Sequence, residues 1–432
     1  MSFLFKKPQK SEESQSKTFF ESIGFPYSQI NNQEYAISES VGFSSLGLNI
    51  NQQKFDQLSC ELANLIDNSQ QKIQTIKNWQ IGYSYTQSLE KLDLKKQPPL
   101  ACMRLGYVID TEGVPKLIEV NSQTPSFWWE CEDGSQAVLK KLRREDIPNQ
   151  YSDNLNLCLR YNLIECAKNL DKPVKNLNVG LITCDSQEDI FQMQFLKNKI
   201  EGLKLVQNSE VLTIDRMDIS RDGFDGSKVF SLNSGNFFDV VFLWYPLEWL
   251  LEEEFADGTP VKESLNQVLE EKNVVIFNGL ASFVAQNKNL FAFMTEAQNW
   301  EEVETSNLDD HLTPSYYTRE ELEVDLGKVD WIAKPIWGRQ GAGIFGKVES
   351  GDIEGDLSDE YYNSQNYIYQ PFHKLKPIVF QGRSYNFTLE KWVYKTNRGW
   401  QPGGHSLRLA EGAIVNDTSK WLTISSETIK SL

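Results

Sequence analysis

The run Lys334-Pro335-Ile336-Trp337-Gly338-Arg339-Gln340-Gly341-Ala342-Gly343-Ile344 ends an apolar strand pattern on a lysine and follows it with three glycines. Glycines let backbone N–H groups approach an anion closely, and a lysine adds a point charge for phosphate. The run is neither GxxxxGK[ST] nor a GxGxxG that follows a strand and opens a helix. Alone it reads equally as a nucleotide-phosphate loop or a plain hairpin turn. Around it, Ile332–Ile336, Tyr367–Phe372, Ile378–Phe380 and Tyr385–Val393 are β-rich with Trp and Tyr interleaved, which predicts an α+β part with an antiparallel sheet.

Upstream the pattern changes. Val179–Thr183, Val240–Trp244 and Val274–Phe277 are short apolar runs, separated by helical stretches such as Asp189–Leu203 and Lys262–Glu271. That alternation predicts a small parallel α/β unit, so the fold class reads as α/β and α+β. Phe55, Leu58, Leu62, Leu65, Ile66 and Ile73 lie near helical spacing, predicting an amphipathic helix over Asn51–Ile76. Residues 1–18 are polar and read as loose. After the break at Gln97-Pro98-Pro99, Ala101–Ile109 and Pro115–Asn121 read as a hairpin turning at Asp110.

The 432 residues allow two or three domains, or one large composite one. Hydrophobic residues at 40% and aromatics at 12% exclude disorder, collagen and coiled coil. A net charge of −17, from 60 acidic against 43 basic residues, argues against a nucleic-acid partner. It favours cationic or metal-bound ligands weakly, since such a charge also serves solubility. The six cysteines include no CxxC pair, and with only three histidines no zinc or His-based metal site is expected. With no signal-like h-region and no run of about 18 apolar residues, a soluble cytoplasmic protein without membrane contact is expected.

Four groups of residues bear chemistry. Glu119 and Asn121, two apart on a strand, face one side and offer the oxygen donors that suit Mg²⁺. The neighbouring strand can bring Arg104 to the same mouth, where a guanidinium would steady a transferring phosphoryl group, or else the three are exposed polar residues of an ordinary strand end. The hydroxyls and N–H groups of Ser122-Gln-Thr124-Pro-Ser126 suit the grip of a substrate carboxylate, or else cap their own turn. Arg408, ahead of Asn416-Asp417-Thr418-Ser419, is either a catalytic cation or a surface arginine.

In this order the segments resemble the glutathionylspermidine synthase family, with its pre-ATP-grasp and ATP-grasp parts. The resemblance is carried by Cys-Met-Arg104-Leu-Gly106, Leu-Ile-Glu119-Val-Asn121-Ser-Gln-Thr124-Pro, Trp244-Tyr-Pro-Leu-Glu248-Trp249 and Ala285-Gln-Asn287-Lys288. It continues through Lys334 to Gly341, Tyr367-Ile-Tyr369-Gln370, and Leu407-Arg408 through Asp417-Thr418-Ser419-Lys420. It implies an ATP-grasp carbon–nitrogen ligase that joins a small-molecule or peptide carboxylate to an amine, a polyamine among the candidates, through an acyl phosphate, with ATP and Mg²⁺ as cofactors. It further implies catalytic roles for Arg104 and Arg408 and metal binding by Glu119 and Asn121. ATP binding falls to Lys288, Lys334, Arg339, Gly341 and Gln370, and substrate binding to Thr124, Ser126 and Glu248. The expected organisation is a helical region over 1–95, strands of the metal site over 96–135, a pre-ATP-grasp α/β subdomain over 170–295 and an ATP-grasp, β-rich part over 296–432.

Two departures stand out. The family places an aspartate, a further metal ligand, where this chain has Gly106, and an aspartate restored there is expected to raise magnesium affinity. Glu130 and Glu132 are the conceivable substitutes. The alternative function is therefore a catalytically impaired ATP-grasp protein that binds nucleotide or peptide without turnover. The other departure is the lack of an amidase domain ahead of the synthetase, so no amidase activity is expected.

Overall fold

A computed structural model describes residues 10–30, 32–73, 98–143, 150–220, 226–255, 257–296, 308–416 and 418–426. The central sheet runs in the order Ala36–Gly42, Lys420–Ser425, Gly399–Ala410, Arg383–Thr396, Cys102–Ile109, Pro115–Asn121, and Ile378–Phe380 also pairs with Arg383–Thr396. All its pairings are antiparallel except that of Lys420–Ser425 with Ala36–Gly42.

Strand alternation gives this sheet two different faces. On one, Leu389, Val393, Leu105 and Tyr107 share a core with Phe55, Leu58 and Leu62 of the helix Gln52–Ile73, whereas Leu155, Cys158 and Leu159 of the helix Gln150–Asn169 cluster with Trp392 and Tyr394. Phe55 packs edge-on against Tyr107 with centroids 5.1 Å apart. Lys391 is fully buried there, with Nζ 2.6 Å from Asp56 Oδ1 and 2.6 Å from the Gly403 carbonyl. Asp56 also accepts from the Tyr151 hydroxyl at 2.8 Å. On the other face Trp392 stacks on Trp128 at 4.5 Å, and Trp128 on Trp244 at 5.2 Å. This indole column ties the central sheet to a second one, since Trp244 ends strand Val240–Trp244. The close approach beneath it needs glycine at 404, where a Cβ would lie 1.9 Å from the Cys131 carbonyl oxygen.

The second sheet is parallel throughout, in the order Val275–Ile276, Val240–Trp244, Asn178–Thr183, Asn208–Thr213. Its helices are Gln187–Gly202, capped by the Ser186 hydroxyl on the Asp189 N–H, and Val261–Glu270. This is the α/β unit the sequence predicts. A third sheet is antiparallel, in the order Gly351–Glu354, Phe345–Val348, Trp331–Pro335, Tyr367–Pro371. The β-rich last third is thus not one sheet. Its first half forms this separate sheet, while its second half completes the central sheet with the hairpin at 102–121.

Two further expectations are revised, and a third is met over the described residues. The N-terminal region is not purely helical, because Ala36–Gly42 is a strand of the central sheet. Part of the stretch read as loose, Lys10–Ser22, is a helix, and residues 1–9 lie outside the described residues. The amphipathic helix spans Gln52–Ile73, with positions 74–76 also outside them. All six cysteines are free, and among the described residues no helix is long and apolar enough to cross a membrane.

Removing one partner of a buried ion pair strands the other, so Lys391→Ala should lower stability by about 3–5 kcal/mol in urea unfolding. Lys391→Met combined with Asp56→Leu should recover most of that loss. A single variant as stable as the parent would show that the pair carries no such weight.

Candidate functional site

A cavity of about 530 Å³ opens where the three sheets meet. Its floor is the second face of the central sheet. Register places Arg104 opposite Asn121, Gly106 opposite Glu119, and Thr388 opposite Arg408, so these side chains share that face. Arg104, Glu119, Asn121, Thr388 and Arg408 all line the cavity. Arg104 Nη1 donates to the Ser126 carbonyl at 2.9 Å, and Arg408 Nη2 to the Asn416 carbonyl at 2.8 Å.

One wall comes from the third sheet. Lys334 is the penultimate residue of strand Trp331–Pro335, is 6% exposed, and donates through Nζ to the Ile118 carbonyl at 3.2 Å. Gln370 donates to Ser315 Oγ at 2.8 Å, while its buried Oε1 has no hydrogen-bond partner. Lys288 follows the short helix Ala281–Gln286. Its backbone N–H meets the Ile336 carbonyl at 3.1 Å and its Nζ the Gly338 carbonyl at 2.7 Å, so both lysines are anchored around the glycine loop. In that loop Gln340, Gly341 and Gly343 have φ of 51°, 77° and 68°. A Cβ on Gly341 would lie 2.8 Å from Ile414 Cγ2, so this residue must be glycine both for its conformation and for its packing. The opposite wall carries Ser186, Glu188, Asp189, Trp244 and Trp249 from the parallel sheet.

The predicted substrate residues sit together. Glu248 is fully buried and accepts from Arg339 Nη2 at 2.5 Å and Nε at 3.2 Å, and Arg339 Nη1 also donates to Thr124 Oγ1. Thr124, Ser126, Arg339 and Gly341 line the cavity, whereas Glu248 stands behind Arg339. The N–H groups after Asn121 are not open to a ligand as expected. Those of Ser122, Gln123 and Thr124 all donate to Gln286 Oε1, so only side chains of this segment reach the cavity.

Charge is unevenly spread. Arg104, Lys288, Lys334, Arg339 and Arg408 line a cavity whose acidic residues are Glu119, Glu188 and Asp189. Burial pushes Lys288 and Lys334 down to about 8 although Glu119 pulls both up. Burial alone would raise Glu119, but Lys288, Arg104, Lys334 and Arg408 outweigh it and hold the carboxyl below its ordinary value. Burial, with Glu130 and Asp189 nearby, raises Glu188 to about 7.

The donor set fits magnesium. Glu119 stays ionised, and Asn121 Nδ2 donates to its Oε1 at 3.1 Å, which sets an amide beside a carboxylate. Among the described residues no group of three or more His, Cys, Asp or Glu is arranged to hold a metal. The conceivable substitutes for a carboxylate at 106 are both committed elsewhere. Glu130 accepts from Tyr27, Tyr35 and Gln192, and Glu132 from Tyr394 and the Gly404 N–H. A Cβ at position 106 would lie 2.7 Å from Glu119 Cγ, so an aspartate there displaces Glu119 instead of adding to it. Asp417 lies outside the described residues.

Sequence reading missed Glu188, Asp189 and Glu390. The first two begin a helix behind the Ser186 cap, a spot where acidic residues are ordinary. Glu390 lies in Phe387-Thr-Leu-Glu-Lys-Trp392, where an adjacent lysine makes it look like half of an ordinary surface charge pair.

The family model described as "Glutathionylspermidine synthase preATP-grasp" matches residues 7–425. A Haemophilus influenzae protein described as "Putative acid--amine ligase" is 29% identical over 151 residues, a match spanning 33% of this chain and 33% of that protein. The structure of a glutathione synthetase-like effector from Globodera pallida covers 98% of each chain with a TM-score of 0.59 at 10% identity, a likeness of fold.

The two lysines give the apo protein a distinctive pH response. At these two lysines the unfolded chain binds more protons than the folded one between about 8 and the ordinary lysine value of 10.5, so their own contribution to stability rises with pH across that window. The buried cysteine thiols, all held above their ordinary value, contribute in the opposite sense, so the lysine part is read by comparing the parent with a Lys288→Met, Lys334→Met variant in urea. Affinity for inorganic triphosphate should fall over the same window, as the lysines lose their charge. A parent whose stability varies with pH just as the variant's does would show that these lysines are not buried as described.

Proposed function

We propose, on the premise that the chain belongs to the glutathionylspermidine synthase pre-ATP-grasp family, that it is an ATP-dependent ligase joining a carboxylate to an amine through an acyl phosphate. The observation that carries this reading is the set of five cations around one cavity in a chain of net charge −17. Arg104 and Arg339 are paired with the buried Glu390 and Glu248, whereas the Nζ groups of Lys288 and Lys334 hydrogen-bond only backbone carbonyls, and a triphosphate is the polyanion this chemistry consumes.

In this reading Lys288 and Lys334 take the ATP phosphates and the N–H groups near Gly341 cover them, with Gln370 on the same wall. Glu119 and Asn121 hold magnesium, which draws off charge from the phosphate oxygens when bound. The substrate carboxylate attacks the γ-phosphorus and ADP leaves. Arg104 and Arg408 steady the phosphoryl group and the acyl phosphate, and Arg339 and Thr124 orient the acid. The amine then attacks the acyl carbon, phosphate leaves, and the amine gives up a proton. No enzyme nucleophile is needed, because positioning supplies most of the acceleration. Glu188 and Asp189, beside Trp244 and Trp249, suit a cationic amine such as a polyamine. Six free cysteines and the use of ATP fit a cytoplasmic location.

Gly106 favours a second reading, a nucleotide- or peptide-binding module without turnover. Release of ADP from ATP and Mg²⁺, stimulated only when a carboxylate pool and a polyamine are both present, supports the ligase. ATP binding with no ADP release under any pairing supports the module. Lys334→Ala should weaken ATP binding by roughly 2–5 kcal/mol, at least about thirtyfold, in calorimetry. Unchanged affinity would remove Lys334 from the nucleotide site.

A further inference from the structure

Gly106 stands in register between two carboxylates, Glu119 on one neighbouring strand and Glu390 on the other. Each neighbouring strand is about 4.8 Å away. All three positions present the same face, because directly paired residues in an antiparallel sheet point to the same side. Glu390 is fully buried. Its Oε1 accepts from Thr388 Oγ1 at 2.7 Å, and Thr388 lines the cavity. Its Oε2 lies 3.0 Å from Arg104 Nε, yet neither atom makes a hydrogen bond. A buried anionic oxygen is thus in charge contact with a cavity-lining guanidinium and still has acceptor capacity to spare. Leaving a carboxylate oxygen unbonded away from water is costly unless a cation satisfies it.

The sequence around it explains the arrangement. Glu390 and Lys391 are adjacent and point to opposite faces, Lys391 into its own ion pair with Asp56. Glu390 therefore has only the site side on which to find a positive partner. Arg104 feels both carboxylates, and Glu390 and Glu119 together hold its guanidinium more firmly protonated despite burial.

We propose that Glu390, delivered by strand Arg383–Thr396, is the second carboxylate of the site: it holds Arg104 at the cavity wall and supplies the negative charge toward a divalent cation that Gly106 cannot. Glu390 is a positioning residue in this scheme, acting through Arg104 and through its charge. The absence of a side chain at 106 leaves Glu119 in place, and the second carboxylate comes from the next strand. The proposal rests on the ligase reading of the same cavity.

The test titrates Mn²⁺ into the full chain saturated with a non-hydrolysable ATP analogue and follows free Mn²⁺ by electron paramagnetic resonance. Melting temperatures are recorded in parallel. Glu390→Gln should weaken Mn²⁺ binding about 10–100-fold, the range set by removing groups that support metal ligands. Glu390→Asp keeps the charge and should retain most of the affinity even where its melting temperature drops. A Gln variant that binds Mn²⁺ like the parent, or Asp and Gln variants that lose it equally, would overturn the proposal by showing a shape-filling role only. If the Gln variant does not fold, the Asp variant decides: retained Mn²⁺ binding supports the proposal and lost binding overturns it. A parent protein that binds the analogue with no dependence on Mn²⁺ would overturn this proposal and the ligase reading together. Intact parent binding with an indifferent Gln variant defeats this proposal alone.

Discussion

The pairing of Cys102–Ile109 with Arg383–Thr396 is the constraint on which the rest of the structure depends. It brings together segments far apart in sequence and assigns each residue of both strands to a face. Tyr107, Leu389 and Lys391 go to the helices, and Arg104, Gly106, Glu390 and Trp392 to the cavity and the indole column. A slip of one residue would exchange the faces completely. Lys391 would then stand beside Arg104, two cations with no carboxylate between them, and Glu390 would be driven against Asp56. Two adjacent residues of opposite charge thus enforce the register that hydrophobic alternation only suggests.

That register explains the electrostatic character of the cavity. Lys288 and Lys334 are buried with less countercharge than burial demands, which is why both are pushed well below ordinary lysine values. Glu119 lines the floor beside this set and is held ionised by it, while the buried Glu390 pairs with Arg104 from the same face. A site with such an excess of positive charge is organised before its ligand arrives, so little rearrangement is required when phosphate binds. Stability is lost to this arrangement and recovered in binding, a common feature of functional sites.

The parts that could be read from the sequence are those whose signals are local. The parallel unit announces itself because its strands are short apolar runs between helical stretches. Lys334 and its glycines are visible because the loop conformation demands them within a few positions. Family membership follows from the order of such motifs. Ala36–Gly42 was invisible because Ala-Ile-Ser-Glu-Ser-Val-Gly carries no alternation of its own and becomes a strand only against Lys420–Ser425. Glu390 was missed for a related reason: its meaning lies in Arg104 and Gly106, which reach it through strand pairing alone. The closed N–H groups of Ser122, Gln123 and Thr124 depend likewise on Gln286, a residue from a distant helix.

The order of strands in the central sheet also governs when the molecule can assemble. Lys420–Ser425 lies between Ala36–Gly42 and the rest of the sheet, and Trp421 packs against Phe20 and Phe25. The N-terminal strand therefore has no partner strand in the central sheet until residue 425 has left the ribosome, tens of seconds later at about 5–20 residues per second, although Phe25 finds Trp129 and Phe191 well before then. Contacts of such sequence separation slow folding and expose unpaired strand edges in the interval. The early segment must stay soluble through that wait, and its polar, acidic surroundings at Lys10–Ser22 and Glu34–Glu39 are suited to keeping it so.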